Sequence, residues 1–437
     1  MGFTQRIATT TACFALLSLT PYLISGLAAE ESHLPRELDW ERCVKEAAEN
    51  NPDLRGAREN VINFQAQFKG SFSSLFPQIS ASANGTDTHT INRESSFSST
   101  TTTHQYSAQL NVDQMIFDGF KTNGQIDQSS ANYQVSLMGE AIEKSTVHFS
   151  LKTAFAQLLY AQEQLKLAEH IAAARKQEAQ QVELKYEGGQ EDKGSYLLTA
   201  ANYRQALYEE SQARRNIKVS QRQLAQVLGR ITAIDIHVTG ELKTKKPPAK
   251  EPDYLDMAAG TPIHLQSDMN VAAAKAGITI ARSEFMPTVS VTGSAFKQGH
   301  TVLPRSEGWE AGLNVSLPIF DGGLNYFDVR SASARYRQSL ANRQSSDDQI
   351  VFTLEQTYNA LLNSIEVVEV NQQLLKANQV RAEIAEGLYA NGLASFQDYD
   401  QIQNSLISIQ KTELQTRRDA VIAEANWELA QGSGDIP

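Results

Sequence analysis

Ile116-Phe117-Asp118-Gly119 and Ile319-Phe320-Asp321-Gly322 are the same four residues met twice, 203 positions apart. The offset persists downstream, where Tyr186-Glu187-Gly188-Gly189 is echoed by Tyr389-Ala390-Asn391-Gly392 and Gly229 by Gly432. The two halves therefore run in register from Ile116 to Gly229 without insertion or deletion. Such length matching is expected of elements that lie side by side and end at the same height. Upstream, Phe76-Pro77-Gln78-Ile79-Ser80 is matched by Met286-Pro287-Thr288-Val289-Ser290 at an offset of 210, which places seven extra residues between Pro77 and Ile116. The Ser/Thr-rich stretch Ser95 to Thr103 sits there and reads as a longer exposed loop.

Proline placement turns this register into helices. No proline occurs between Pro77 and Pro247 or between Pro318 and Pro437, so each half owns a long uninterrupted segment. Leu151, Phe155, Leu158, Gln162 and Leu165 alternate spacings of four and three, as do Val351, Leu354, Tyr358, Leu361, Ile365, Val368, Gln372 and Leu375. That seam marks helices packed nearly parallel as coiled coils. The pattern predicts long helices over 119–187 and 322–388, rods of roughly 100 Å. Helices over 196–228 and 396–430 return after turns centred on Gly188-Gly189 and Asn391-Gly392. Two more, Trp40 to Ser74 and Pro262 to Phe285, precede the strands. The chain divides into a first repeat, 29–242, a linker, 243–252, and a second repeat, 253–437.

Each repeat holds two strand-like segments, over 78–90 and 104–117 in the first and 288–300 and 308–318 in the second. Trp309, Ala311, Leu313, Val315 and Leu317 form one apolar face, while Glu310, Gly312, Asn314 and Ser316 form a polar one. Tyr106, Ala108, Leu110 and Val112 alternate with Ser107, Gln109, Asn111 and Asp113 in the same way. About ten residues is the length that crosses a membrane as a tilted strand. Phe76-Pro77, Phe117, Met286-Pro287 and Pro318-Ile319-Phe320 punctuate the segment ends as residues at a membrane interface would. A soluble sandwich with one wet face is the competing reading of any single strand. Four strands cannot close a barrel, and open edges are not tolerated in lipid. Closure then requires further copies of the chain, and spacing alone does not choose between two copies, giving eight strands, and three, giving twelve.

Composition fits that picture. The 437 residues are 41% hydrophobic, enough for a sizeable core, and the formal charge of −11 argues against a nucleic-acid binder. Past the first thirty residues no apolar run is long enough for a transmembrane helix. Residues 1–28 read as a secretory signal peptide: Arg6 carries the early charge, Thr11 to Leu27 is mostly apolar, and Gly26-Leu27-Ala28 places small residues at the cleavage positions. Cys13 lacks the aliphatic residue expected three places upstream of a lipid-modified cysteine, and Cys43 is then the sole cysteine of the mature chain. The eight histidines show no metal-ligand spacing. Gly188 to Ser195 has Lys and Gly in the wrong order for a phosphate loop, and no hydrolase elbow occurs. Neither an enzyme nor a cofactor is expected.

The signal peptide, the duplicated helix-strand-strand-helix plan, the paired Ile-Phe-Asp-Gly motifs, the two Tyr-x-x-Gly turns and the opening Asn51-Pro52-Asp53-Leu54 resemble the TolC family of outer-membrane efflux and secretion channels. The resemblance covers roughly Leu38 to Gly432. It implies a mostly α protein with a transmembrane β-barrel in the outer membrane of a Gram-negative bacterium. In that plan four strands per protomer contribute to a trimeric twelve-stranded barrel, and long coiled-coil α-hairpins form a periplasmic α-barrel. The implied partners are outer-membrane lipid, a periplasmic adaptor and an inner-membrane pump, either ABC-type or proton-driven. The runner-up from another class is a trimeric coiled-coil adhesin anchored in the outer membrane, although its membrane strands would stand at the C-terminus.

The two inter-helix turns are the informative sites. Gly189 and Gly392 are helix terminators first, and the resemblance adds adaptor contact at Gly189, Gly392 and Leu393. By the same resemblance, Asp398 falls on the first of two acidic positions lining the closed entrance of many relatives, while the second is Gln401. Asp398 is read either as part of a threefold acidic ring or as an N-terminal charge favoured by the helix dipole. Asp400, Tyr389 and Ser195 complete the expected periplasmic gate, with Tyr186 and Tyr399 as further hydroxyl donors or packing residues. Ser195 stands where some relatives have a carboxylate and Ala394 where some have a basic residue, which argues against the family's salt-bridge lock here.

Overall fold

A computed structural model describes residues 37–434 and 436, apart from 95–96, 232–234 and 246–249. The expected signal peptide, 1–28, and the middle of the linker lie outside the described residues. The elements run β1 (Glu37–Leu38), α1 (Trp40–Asn50), α2 (Pro52–Ser71), β2 (Gln78–Glu94), β3 (Phe97–Phe117), α3 (Lys121–Glu187), α4 (Lys193–Val227) and β4 (His237–Val238). The second repeat follows with α5 (Tyr254–Ala259), α6 (Pro262–Ser283), β5 (Thr288–Gly299), β6 (Ser306–Ser316), α7 (Leu324–Ala390) and α8 (Phe396–Ala430).

The duplication is kept to the residue. Helices α3 and α7 are each 67 residues long, and α4 and α8 each 35. Left-handed backbone recurs at the same offset in Gly119 and Gly322, Gly189 and Gly392, and Gly229 and Gly432. It recurs once more at Phe120 and Gly323, so the first repeat carries a phenylalanine where the second has glycine. At about 1.5 Å per residue, α3 and α7 are rods near 100 Å long.

Two expectations need correction. The helix expected over Trp40 to Ser74 is broken at Asn51, whose side chain accepts from the Asp53 and Leu54 amides at 2.9 and 3.1 Å and donates to the Val227 carbonyl at 2.8 Å. A buried Asn before Pro makes a new N-cap, which ends α1 and starts α2. The Ser/Thr-rich stretch expected as a loop is strand from Phe97 onward, paired with β2 from Gln78↔Asp113 to Glu94↔Phe97. Threonine is a good strand former, and composition hid this. Because β5 pairs with β3 only as far as Tyr106↔Gly299, the β2–β3 ribbon projects beyond the rest of the sheet.

The sheet has the antiparallel order β2-β3-β5-β6. Near it the helices lie in the order α2-α3-α6-α7, and away from it α4-α3-α8-α7. Around the middle, β1 pairs with β4, and Leu38, Cys43, Leu151, Leu158, Leu224 and Ile236 form the largest buried cluster. Leu354, Tyr358, Leu361 and Trp427 form its counterpart in the second repeat. The Cys43 thiol, buried there beside Glu46, has its pKa pushed up to about 12.

Candidate functional site: the paired helix turns

The end of the chain's fold remote from the sheet is made of two turns of identical construction. After α3 the Gln190 amide donates to the Lys185 carbonyl at 2.8 Å, and after α7 the Leu393 amide donates to the Leu388 carbonyl at 2.8 Å. Both closures require a left-handed residue, supplied by Gly189 (φ +71°) and Gly392 (φ +72°). A Cβ added at either glycine would meet open space. Leu393 stands beside Gly392 with 74% of its surface exposed.

The returning helices start with the same reciprocal cap, its residues exchanged. Asp192 accepts from the Ser195 amide at 3.0 Å and the Ser195 hydroxyl at 2.9 Å. At the equivalent positions Ser395 accepts from the Asp398 amide at 3.2 Å and its hydroxyl donates to the Asp398 carboxylate at 2.7 Å. Those bonds from Ser195 hold the Asp192 carboxyl below the usual range. Ser195 and Asp398 thus both serve helix starts, and the Asp398 carboxylate remains exposed.

Asp400 is placed differently from the expectation that put it beside Asp398 at the gate. Its carboxylate turns into the protomer, accepting from Asn404 Nδ2 at 2.9 Å and Asn202 Nδ2 at 3.3 Å, with Arg175 Nη1 at 3.4 Å. Arg175 also donates to Glu178 at 2.6 Å and to Asn404. Tyr389 gathers the other contacts. Its hydroxyl donates to Glu191 at 2.9 Å, its ring stacks on Tyr399 at 4.7 Å, and Lys185 Nζ lies 3.6 Å from the ring centroid while donating to the Tyr389 carbonyl. Burial, then Glu191, raises the Tyr389 pKa, so the phenol stays a proton donor. Tyr186 stacks on Tyr196 at 5.2 Å in the first repeat, the same pairing 203 residues earlier.

Arg175, Glu178, Lys185, Glu191, Asn202 and Asn404 were not singled out from sequence. A signal existed for the first two: Ile171, Arg175, Glu178 and Val182 keep the four-three-four spacing of the buried α3 stripe, so opposite charges occupy seam positions. Between the turns lies a cleft of about 1030 Å³ lined by Lys185, Glu191, Asp192, Ser195, Tyr389, Gly392 and Asp400 among others. No group of three metal-ligating side chains able to hold a metal ion occurs among the described residues. The site has hydrogen-bond donors, acceptors and fixed turns.

Comparison with known proteins follows the same lines. Residues 43–230 and 265–433 match the family described as outer membrane efflux protein. The chain is 26% identical over 411 residues to the probable outer membrane lipoprotein SilC of Salmonella typhimurium, covering 90% of this chain and 85% of that protein. It is 25% identical over 422 residues to the toluene efflux pump outer membrane protein TtgC of Pseudomonas putida, covering 90% and 83%. The crystal structure of the Campylobacter jejuni CmeC outer membrane channel has the same fold, with a TM-score of 0.80 at 19% identity, covering 91% of this chain and 86% of that one.

Proposed function

The chain belongs to the outer membrane efflux protein family, and from that premise we propose that three copies close into one passive exit duct, coupled through a periplasmic adaptor to an inner-membrane pump. The observation that carries this reading is that every layer of the protomer ends at the same two edges. The sheet leaves β2 and β6 unpaired on their outer sides, and the helices leave α2 and α4 on one flank and α7 on the other. The α7 flank carries Val367, Val370, Leu374, Ile384 and Leu388 exposed, and the α4 flank Leu197 and Tyr208. Unlike edges joined head to tail generate a ring. Three copies give twelve strands, wide enough for a water-filled bore.

Ile79, Leu110, Trp309, Leu313 and Val315 share the apolar face of the sheet, which meets lipid in this assembly. The alternate residues, Ser80, Ser82, Gln109, Asn111, Thr292 and Asn314, line the duct. The turns at Gly189 and Gly392 then stand at the periplasmic entrance, with Asp398 of each copy contributing to its mouth. Asp113 and Glu310 share the duct-lining face of the sheet, so the wall is polar and acidic, and it passes varied solutes without holding any strongly. The four strands are internal and the chain continues into α7 and α8, which is not the plan of a C-terminally anchored adhesin.

Leu393→Cys in a Cys43→Ser background tests the coupling by crosslinking in intact cells and mass spectrometry of the adducts. Cys43 is buried and its thiol inert, so its replacement is silent to the reagent. Capture of an adaptor from an ABC-type system favours protein secretion, one from a proton-driven system favours small-molecule efflux, and both together mark a shared exit duct. An assembled protein that captures no periplasmic adaptor contradicts the tip assignment.

A further inference from the structure

Between α3 and α7 one helix hands over to another. Helix α8 ends at Ala430 and α6 begins at Pro262, and the two meet so closely that a Cβ on Gly432 would strike the Pro262 ring. Side-chain cover thins at such a junction, and small residues flank it, Ser145 on α3 with Ser345 and Ser346 on α7. The result is a cavity of about 730 Å³, within the range of small-molecule sites. Ile142, Ile263, Ile350 and Leu429 supply apolar lining, and no ionisable side chain is among the described residues that line it.

The duplication shows that this lining is particular to the second repeat. In the first repeat Asp53 stands at the position of Ile263, Glu143 at that of Ser346 and Gln226 at that of Leu429. Helices α2 and α6 each begin at a proline behind a capping side chain, Asn51 and Thr261, which fixes the first of these equivalences. The polar groups of the cavity are partly spent. The Ser145, Thr353 and Thr357 hydroxyls donate to the Ala141, Gln349 and Thr353 carbonyls at 3.1, 2.8 and 2.7 Å, and Asn426 Nδ2 donates to the Ile422 carbonyl at 3.1 Å. Hydroxyl oxygens engaged in this way keep lone pairs that can accept a further bond. An ion entering here would leave water without meeting a counter-charge, whereas an uncharged solute with a hydroxyl donor would lose little.

The mouth of the cavity turns away from the short elements packed around the middle of the fold. His148 of α3 packs on Trp40 of α1, and Leu354 of α7 shares a buried cluster with Ala258 of α5. Thr146 stands about 200° around α3 from His148, and Ser345 about 180° around α7 from Leu354. Both are exposed. Helices α1 and α5 inside a bore would block it, so in the duct proposed above they lie outside and the cavity opens inward. Resting on that reading, we propose that this cavity is a site in the duct wall where uncharged, largely apolar solutes carrying a hydroxyl group bind reversibly.

Photolabelling of the purified, assembled protein in detergent tests the site, with trifluoromethyl-diazirinyl benzyl alcohol as the probe and the matching benzoic acid, an anion at neutral pH, as its charged counterpart. The alcohol is expected to label α3 and α7 beside the cavity, in peptides holding Ile142 to Thr146 and Ser345 to Thr353, and excess benzyl alcohol is expected to suppress that label. Label on the apolar face of the sheet, which detergent covers, serves as the internal reference. The acid is expected to label the cavity roughly tenfold less, because nothing there pairs its charge. Ile263→Asp installs the first repeat's residue at a half-exposed position, and Ser345→Phe fills the mouth. Each is expected to cut the cavity label by a similar factor, with assembly unchanged in native mass spectrometry. Alcohol label confined to the sheet, equal cavity label from the acid, or cavity label that neither variant lowers overturns the wall site while the channel reading stands. Cavity label on a protein that passes no ionic current in planar bilayers removes the duct, and with it the site's place in a duct wall.

Discussion

Glu178 shows how much a single seam residue can be asked to do. One of its carboxylate oxygens, Oε1, is buried with no hydrogen-bond partner, and burial raises its pKa by more than Arg175 lowers it, with Asp400 adding to the rise. A carboxyl whose folded pKa is raised binds its proton more tightly when folded, so stability falls as pH climbs from the ordinary carboxylate range through that folded value. Glu178→Gln removes the cost of ionisation while Asp400 and Asn404 still hold Arg175, and it is expected to raise the melting temperature at neutral pH. The gain should fade as the pH falls below the folded pKa of Glu178, which thermal melts across that range would follow. A variant that melts lower at neutral pH would make the carboxylate a net stabiliser. The site was only partly legible at this scale. Tyr389 was singled out and does anchor a cluster, and Gly189 and Gly392 take the left-handed turns expected of them. Asp400 was named for the gate with Asp398, and its partner Arg175, which comes from 225 residues away, could not be read from the sequence.

At the scale of elements, the terminal glycines of each repeat bear unequal loads. A Cβ at Gly229 would strike the Asn50 carbonyl and one at Gly432 the ring of Pro262, whereas Gly322 faces open space. All three have positive φ, so alanine strains the backbone at each by roughly 1–2 kcal/mol. Gly229→Ala and Gly432→Ala should therefore destabilise clearly more than Gly322→Ala in denaturant titrations, and equal losses would mean that the helix junctions are not tightly packed. Asn51→Ala removes both the α2 cap and the bond to Val227, for an expected loss of about 2–3 kcal/mol. Asn51→Asp should recover the cap but not the donor, and so fall between. The long helices were readable because their apolar period and proline-free length are local properties of sequence. The break at Asn51 was not, since a buried cap depends on the Val227 carbonyl 176 residues away. The strand from Phe97 was also missed, because serine and threonine suit loops and strands alike and pairing with β2 decided the matter.

For the whole molecule, the duplication supplies the fold and, in the proposed duct, the reason for assembly. The layers end at β2, α2 and α4 on one flank and at β6 and α7 on the other, and in the proposed duct these unlike edges join copy to copy. Interrupting one edge should therefore act on assembly before it acts on folding. Val315→Pro, on the edge strand β6, is expected to leave helix content unchanged by circular dichroism while reducing the oligomer resolved by native mass spectrometry. Unaltered oligomer in that variant would remove β6 from the closing seam. Spacing in the sequence could not count the copies, because strand and helix edges carry no number. The most direct test of an exit duct is single-channel recording from purified wild-type protein in planar lipid bilayers. A continuous water-filled bore requires discrete ohmic steps from an oligomer of three chains. Protein that inserts as that oligomer yet passes no current under any applied voltage would contradict it.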